Sequence, residues 1–218
     1  MLLARCTPGP AALVPAPLGL GDRDAAAAWA ASTTPAQPTA IRFRWRYRDE
    51  RLSAAGRGMA RIAPPDSMRF DFAATLNLAS GAAVVVGDSV LWAEPARDFR
   101  SLVPAIPLLW AALGVARPPA LGADVFGRSD PPRTIWRFVR AGDTLDYVAS
   151  DGPEMPLLEA EWRRGGAVVA RGRTQLDGRR WPASARIDFP EAAARFELTV
   201  VAVDTAAVIA PALWRGRR

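Results

Sequence analysis

The 218-residue sequence has no histidine and no lysine, and its one cysteine is Cys6. Without histidine the chain lacks the commonest zinc ligand and the commonest general base near neutral pH. With lysine absent as well, a serine, threonine or cysteine nucleophile would have only a carboxylate to activate it. A single cysteine closes no internal disulfide and makes neither a metal site nor a redox pair by itself. Long apolar runs are missing too. The best candidate, residues 96–116, is too short for a transmembrane helix and is interrupted by Pro104 and Pro107. These absences point away from enzyme chemistry, and no cofactor is expected.

Half of the residues are hydrophobic, enough for one domain with a substantial core. The formal charge is +6 and the sequence pI is about 10.9, which raises nucleic acid or an anionic surface as a partner. All 28 cations are arginine, however, and they are dispersed through an Ala-, Gly- and Pro-rich chain, often beside acids, as Arg69 is near Asp71 and Arg186 near Asp188. The segment IRFRWRYR (41–48) sets out the choice. Arg42, Arg44, Arg46 and Arg48 alternate with Ile41, Phe43, Trp45 and Tyr47, and a period of two puts the two sets on opposite faces of a strand. The arginines are then either a solvated face or a phosphate-binding stripe; their dispersal favours the first, and nucleic acid is not expected as a partner.

Residues 1–21 read as a tether, dense in proline and glycine from Thr7 onward. Asp22 or Asp24 is placed to cap a short helix through AAAAWAAS, anchored by Trp29. From Thr39 the alternation is that of strands. RLSAAGRGMARIA and SMRFDFAATLNL form a meander with the first strand, and Gly56 and Gly58 suggest sharp bending or small-volume positions. AAVVVGDSVLWAEP gives two strands around Gly87-Asp88. The pattern breaks between Glu94 and Gly127, where Phe99, Leu102, Val103, Ile106, Leu109, Trp110 and Leu113 follow helical spacing, kinked or split by the two prolines. PPALGADVFG reads as loop. Six further strands run to near the end, with turns at Gly142-Asp143, Gly165-Gly166 and Asp177-Gly178. The expected fold is mainly β: a single large curved antiparallel sheet of about 10–11 strands, an unclosed β-barrel, with a central helical lid and a short N-terminal helix. Its domain occupies residues 22–207, followed by a basic tail over 208–218.

So little helical cover leaves room on the inner face for an apolar ligand. The inward candidates are Phe43, Trp45, Phe70, Phe72, Leu91, Trp136, Phe138, Trp162, Phe196 and Leu198, with Leu102, Ile106, Leu109 and Trp110 from the lid. Glu159 and Glu161 lie two apart on one strand face and are expected in solvent. Plain core packing is the alternative use of every aromatic named.

The order GRGMARIAPPDSMRFDF, then VVVGDSVLWAEP, then a helical segment resembles the lipoprotein localisation factors of the bacterial envelope, the LolA/LolB-like superfamily. Pro65, Asp66 and Arg69, then Gly87, Asp88, Leu91, Trp92 and Pro95, match that group's strand and hairpin pattern. QLDGRRWPASARIDF is similar to its late strand pair, and the resemblance spans roughly residues 25–203. It implies a non-enzymatic monomer whose hydrophobic cavity accepts the acyl chains of a lipoprotein or lipid, on the periplasmic side of the envelope and in contact with the outer membrane surface. Leu78 is the positional counterpart of the apolar residue that protrudes from an early loop in LolB-like receptors. LLARCTPGP has the look of a lipoprotein processing site, which would make Cys6 a lipidated anchor. Against that, Arg5 stands where such sites carry a small residue, and five residues precede Cys6, too few for a charged and an apolar region. An incidental free cysteine is the other reading. Two further functional readings stay open: a basic β-sheet module for an anionic polymer, and a structural envelope domain without ligand.

Overall fold

The computed structural model describes residues 11–14, 17–75, 80–95, 105–152 and 155–215. Asp22 caps the first helix, α1 (Arg23–Thr33), its carboxylate accepting a hydrogen bond from the Ala25 N–H at 2.9 Å. Twelve strands follow: β1 (Thr39–Arg48), β2 (Ser53–Ala63), β3 (Ser67–Ala74), β4 (Ser80–Val86), β5 (Ser89–Glu94), β6 (Asp124–Asp130), β7 (Arg133–Arg140), β8 (Asp143–Ser150), β9 (Leu157–Arg164), β10 (Ala167–Leu176), β11 (Pro182–Phe189) and β12 (Ala194–Asp204). All pair antiparallel in one unclosed sheet, ordered β5-β4-β3-β2-β1-β12-β11-β10-β9-β8-β7-β6. Two meanders therefore join at β1 and β12. Between them the chain passes from one edge of the sheet to the other through α2 (Ile106–Ala112).

That crossover reveals the curvature. The Trp110 indole donates to the Gly87 carbonyl in the β4–β5 turn at 2.9 Å, while the next residue, Ala111, accepts from the Thr174 hydroxyl on β10 at 2.8 Å. In a flat sheet β4 and β10 would stand about 29 Å apart, at roughly 4.8 Å per strand. Neighbouring residues reach both because the sheet curls around α2.

Alternation in β1 falls as its sequence demands: Ile41, Phe43, Trp45 and Tyr47 are buried on the inner face, and the four arginines between them are exposed. Glycine makes room for these rings. A Cβ on Gly58 would stand 2.3 Å from Cε2 of Phe43, directly opposite on β1.

Several expectations are corrected. The sheet has twelve strands, because β6 interrupts the segment read as loop. Its middle residue, Gly127, has φ +104°, and a Cβ there would lie 2.1 Å from the Ile135 carbonyl oxygen, so the strand carries a glycine where a strand pattern calls for a side chain. Pro107 does not kink α2; it sits in the first turn, where its missing N–H removes no helical hydrogen bond. Nor does α2 present a single apolar stripe, since Leu108 to Ala112 are all buried. Leu91 is 64% exposed. Val85 pairs with Val90 and Val84 with Trp92, leaving Leu91 as the extra residue of a bulge on an edge strand.

Glu161, expected in solvent, has no exposed surface, and neither does Asp146. These two acids and two arginines form a row across the outer face, Arg137–Asp146–Glu161–Arg171, in direct register through β7, β8, β9 and β10. Asp146 accepts from Arg137 at 2.7 and 2.9 Å and from Arg163 at 2.6 Å; Glu161 is paired with Arg171. The segment expected to be a tether covers the row. The Leu13 N–H reaches the Glu161 carboxylate at 3.3 Å, Arg137 donates to the Val14 carbonyl at 2.9 Å, and Val14 is buried. Further along, Gly21 donates to the Val125 carbonyl and Gly127 to the Gly19 carbonyl, closing the otherwise open edge of β6. At the other end of the chain, a 3₁₀ turn (Pro211–Trp214) lies over the outer face, with Arg69 donating to the Leu213 carbonyl and Trp92 to that of Trp214.

Candidate functional site

The inner face is carpeted with the aromatic residues that alternation selects. Phe43, Trp45, Phe70, Phe72, Trp136, Phe138, Phe196 and Leu198 are all buried. Around β1 they form one cluster, with Phe43 stacked on Phe70 at 5.2 Å and Trp45 between Phe72 and Phe196 at 6.2 and 6.5 Å. A second group lies on β7–β9, where Phe138, Leu145 and Trp162 stand side by side in register.

Over this face sits α2. Its sequence, IPLLWAA, has no charged side chain and no polar side-chain group but the Trp110 indole N–H, and its first turn carries no side-chain cap, so burial rather than helix propensity holds it in place. Leu108, Leu109 and Trp110 are fully covered. Beyond α2 the chain is clasped at Arg117. Its backbone N–H donates to the Tyr147 hydroxyl at 3.0 Å, its guanidinium meets Asp88 at 3.1 Å, and it lies 5.1 Å from the Trp110 ring centroid. Burial pushes the Tyr147 phenol well above the ordinary tyrosine range, so the group stays neutral.

Between the start of α2 and the second aromatic group a groove of about 450 Å³ remains, walled by Ile106, Pro107, Phe138, Leu145 and Trp162, within the range of roughly 300–1,000 Å³ usual for small-ligand sites. Ile106, Leu145 and Trp162 are only partly buried although they pack against the core. The mouth is polar: Arg140 and Asp143 line it, and Arg164 stacks 4.7 Å from the Trp162 ring while pairing with Asp143 at 3.2 Å.

Of the candidates read from sequence, Ile106, Phe138 and Trp162 meet at this groove. Leu109 and Trp110 are the buried side chains of the lid itself, and Phe43, Trp45, Phe70, Phe72, Trp136 and Phe196 are core neighbours. Leu91 faces away. Leu102 and Cys6, like Phe99, Val103 and Leu78, lie outside the described residues. Sequence reasoning missed Leu145 and the Asp88–Arg117 clasp. The alternation of DTLDYVAS places Leu145 on the same face as Tyr147 and is a usable signal; Arg117, in an irregular segment, has none. Among the described residues no helix is long and apolar enough to cross a membrane, and no three His, Cys, Asp or Glu side chains gather where they would hold a metal.

No protein-family model matches the sequence, and no curated protein does. Solved structures do match the architecture. A LolA superfamily protein from Nitrosomonas europaea superposes with a TM-score of 0.58 at 9% identity, over 89% of this chain and 97% of that one. An outer membrane lipoprotein-sorting protein domain from Vibrio parahaemolyticus gives 0.54 at 8% identity, over 87% and 97%. The chain has a LolA-like fold.

Proposed function

We propose that the protein is a non-enzymatic binder of acyl chains, carried by a lipoprotein or a lipid, that works as a monomer on the periplasmic side of a bacterial envelope and hands its cargo to the outer membrane. The observation that carries this reading is the apolar groove between Ile106 and Pro107 on α2 and Phe138, Leu145 and Trp162 on the sheet. The LolA-like fold supports it, as does the likeness to the lipoprotein-sorting domain from Vibrio. Cys6, if lipidated, anchors the chain; if not, the protein is a soluble carrier.

The mechanism is replacement of one apolar cover by another. Displacing α2 uncovers Leu108, Leu109 and Trp110, at roughly 1.5–3 kcal/mol per side chain, so about 5–9 kcal/mol together. An acyl chain contributes about 0.8 kcal/mol per buried CH₂, or roughly 13 kcal/mol for sixteen carbons. A long chain therefore exceeds the lid's own contribution. Both Phe138 and Trp162 lie where an entering chain would first meet the sheet, and the buried aromatic cluster around Phe43, Trp45, Phe70, Phe72 and Phe196 would extend the cavity once α2 moves.

The test uses the folded protein and a fluorescent fatty acid. Parent protein should bind it saturably and release it to unlabelled palmitate, and native mass spectrometry should detect the adduct. Leu145→Arg, which puts a guanidinium into the groove, should weaken binding at least tenfold while leaving the circular dichroism spectrum unchanged. Absence of saturable binding to the parent, or equal binding by the variant, would overturn the assignment.

A further inference from the structure

The outer face of β1 and β2 carries a set of cations that the fold does not use. Arg42, Arg44, Arg46, Arg48 and Arg57 are exposed, and among the described residues none forms an ion pair or a side-chain hydrogen bond. Neighbouring arginines are paired: Arg61 and Arg69 share Asp71, and Arg186 and Arg195 share Asp188. Two of the acids beside the free set are already engaged. Glu197, opposite Arg46, lies 4.0 Å from Arg195, and Asp71 is held by its two arginines. Arg44 and Arg57 stand directly opposite each other on paired strands, an arrangement that costs stability when nothing lies between them. Successive arginines of β1 are about 6.6–6.8 Å apart along the strand, so the four span a line of charge suited to an extended anionic surface.

Apolar side chains are interleaved with this charge. A groove of about 740 Å³ runs between β1–β3 and the C-terminal segment, lined by Arg42, Arg44 and Arg57 together with Met59, Val201 and Leu213. Val201 is 61% exposed. Cations around one exposed and two half-buried aliphatic side chains match a bilayer interface, where headgroup phosphates lie just above hydrocarbon. A single-stranded nucleic acid calls instead for aromatic platforms on which bases stack, and every aromatic of β1 points inward.

We propose that the arginine face of β1 and β2, with the adjoining Met59–Val201–Leu213 groove, docks the protein on a phospholipid surface bearing anionic headgroups. This face is the reverse side of the sheet from α2, so docking and acyl binding are separate properties and neither result decides the other. Surface association should weaken about fivefold for each arginine removed, and by roughly a hundredfold for three.

The experiment is co-sedimentation of the full chain with vesicles of phosphatidylglycerol and phosphatidylethanolamine, beside vesicles of phosphatidylcholine alone. The parent should bind the anionic vesicles, bind the zwitterionic ones far more weakly, and dissociate as salt is raised. A triple variant, Arg42→Gln, Arg44→Gln and Arg57→Gln, should lose binding by roughly a hundredfold at a melting temperature no lower than the parent's, since it also relieves the opposed Arg44 and Arg57. Arg128→Gln, Arg133→Gln and Arg179→Gln remove the same charge elsewhere and should leave most of the binding in place. Equal losses in the two triple variants would reduce the effect to net charge and overturn the proposal. So would binding to inorganic phosphate or a single-stranded oligonucleotide with vesicles left unbound.

Discussion

Asp146→Asn replaces one carboxylate oxygen by an amide and leaves the strand backbone and side-chain volume nearly unchanged. In the parent the carboxylate is fully buried and accepts three charged hydrogen bonds, two from Arg137 and one from Arg163, and its interaction with Arg137 holds that guanidinium more firmly protonated than usual. Removing one member of such a pair costs about 3–5 kcal/mol, because the partner's charge stays desolvated without compensation. At about 2–4 °C per kcal/mol for a chain of this length, the melting temperature should fall by roughly 6–20 °C. The contrasting variant is Arg128→Gln, since Arg128 and Asp130 pair at 3.1 Å with most of both side chains in water; such a pair contributes about 0–1 kcal/mol. Calorimetry or a circular dichroism melt reads both. The acid also bears on the proposed site: Arg137, Asp146 and Glu161 immediately adjoin Phe138, Leu145 and Trp162 in sequence, so the ionic row on one face holds the groove residues of the other in register. Asp146→Asn should therefore weaken fatty-acid binding as well as stability. A melting temperature within about 2 °C of the parent, or a loss no larger than that of Arg128→Gln, would refute the reasoning.

The remaining expectations are briefer. The chain has two tyrosines, and both are held above the usual range, Tyr47 to about 12 by burial and then by its bond to Asp49, and Tyr147 by burial. Raised folded values mean that this contribution to stability is complete below the unfolded tyrosine value of about 10 and is lost as pH rises through the folded values; phenolate absorbance should stay nearly silent at about pH 11 and arrive with unfolding, and a gradual titration centred near pH 10 would count against it. Gly58→Ala should cost about 1–3 kcal/mol through its clash with Phe43, and much less in a Phe43→Leu background; equal losses in chemical denaturation of the two backgrounds would contradict the packing argument. Asp88→Ala should free the Arg117 clasp, lowering stability by about 1 kcal/mol and speeding release of a bound fluorescent fatty acid; an unchanged stopped-flow release rate would detach the clasp from the lid. Fatty acids shorter than about six to eleven carbons should bind poorly, because their burial falls short of the roughly 5–9 kcal/mol attributed to the lid side chains; a chain-length series with flat affinity would exclude displacement of α2.

Much of the sheet can be read from its residues. Strict alternation in IRFRWRYR and SMRFDF assigns both strand and face, and the rings of Phe43 and Phe72 lie where that rule puts them. Parity fails where the backbone changes the count. Even stepping along β5 puts Leu91 inward and Trp92 outward; Trp92 keeps the outer face, over Arg69 at 5.3 Å, but the bulge at Leu91 pairs Val90 with Val85 instead and leaves Leu91 exposed. Glu161 fails for another reason. Its outward direction holds, yet outward is not wet there, because Leu13 and Val14, far away in sequence, lie across it. No local pattern reports such a contact. The groove is legible only in part, since Phe138 and Trp162 declare themselves by size and alternation, while the Leu145 between them becomes meaningful through the pairing of β7, β8 and β9.

Period two also lets the proposed movable interior coexist with a fixed exterior. In a strand, neighbouring side chains take opposite faces while sharing one backbone, so a rigid contact on one side restrains the other without occupying it. The outer row of Arg137, Asp146, Glu161 and Arg171 is joined by short ionic contacts and covered by residues 11–14, whereas the inner row of Phe138, Leu145 and Trp162 touches an apolar helix with no side-chain cap. Hydrophobic contact is non-directional, so α2 can be replaced by another apolar body of similar area; the ionic row has no such substitute. On the proposed function, opening would displace α2 from a sheet whose curvature is held from behind, and a substitution in the outer row would act on the ligand through the backbone it shares with the groove.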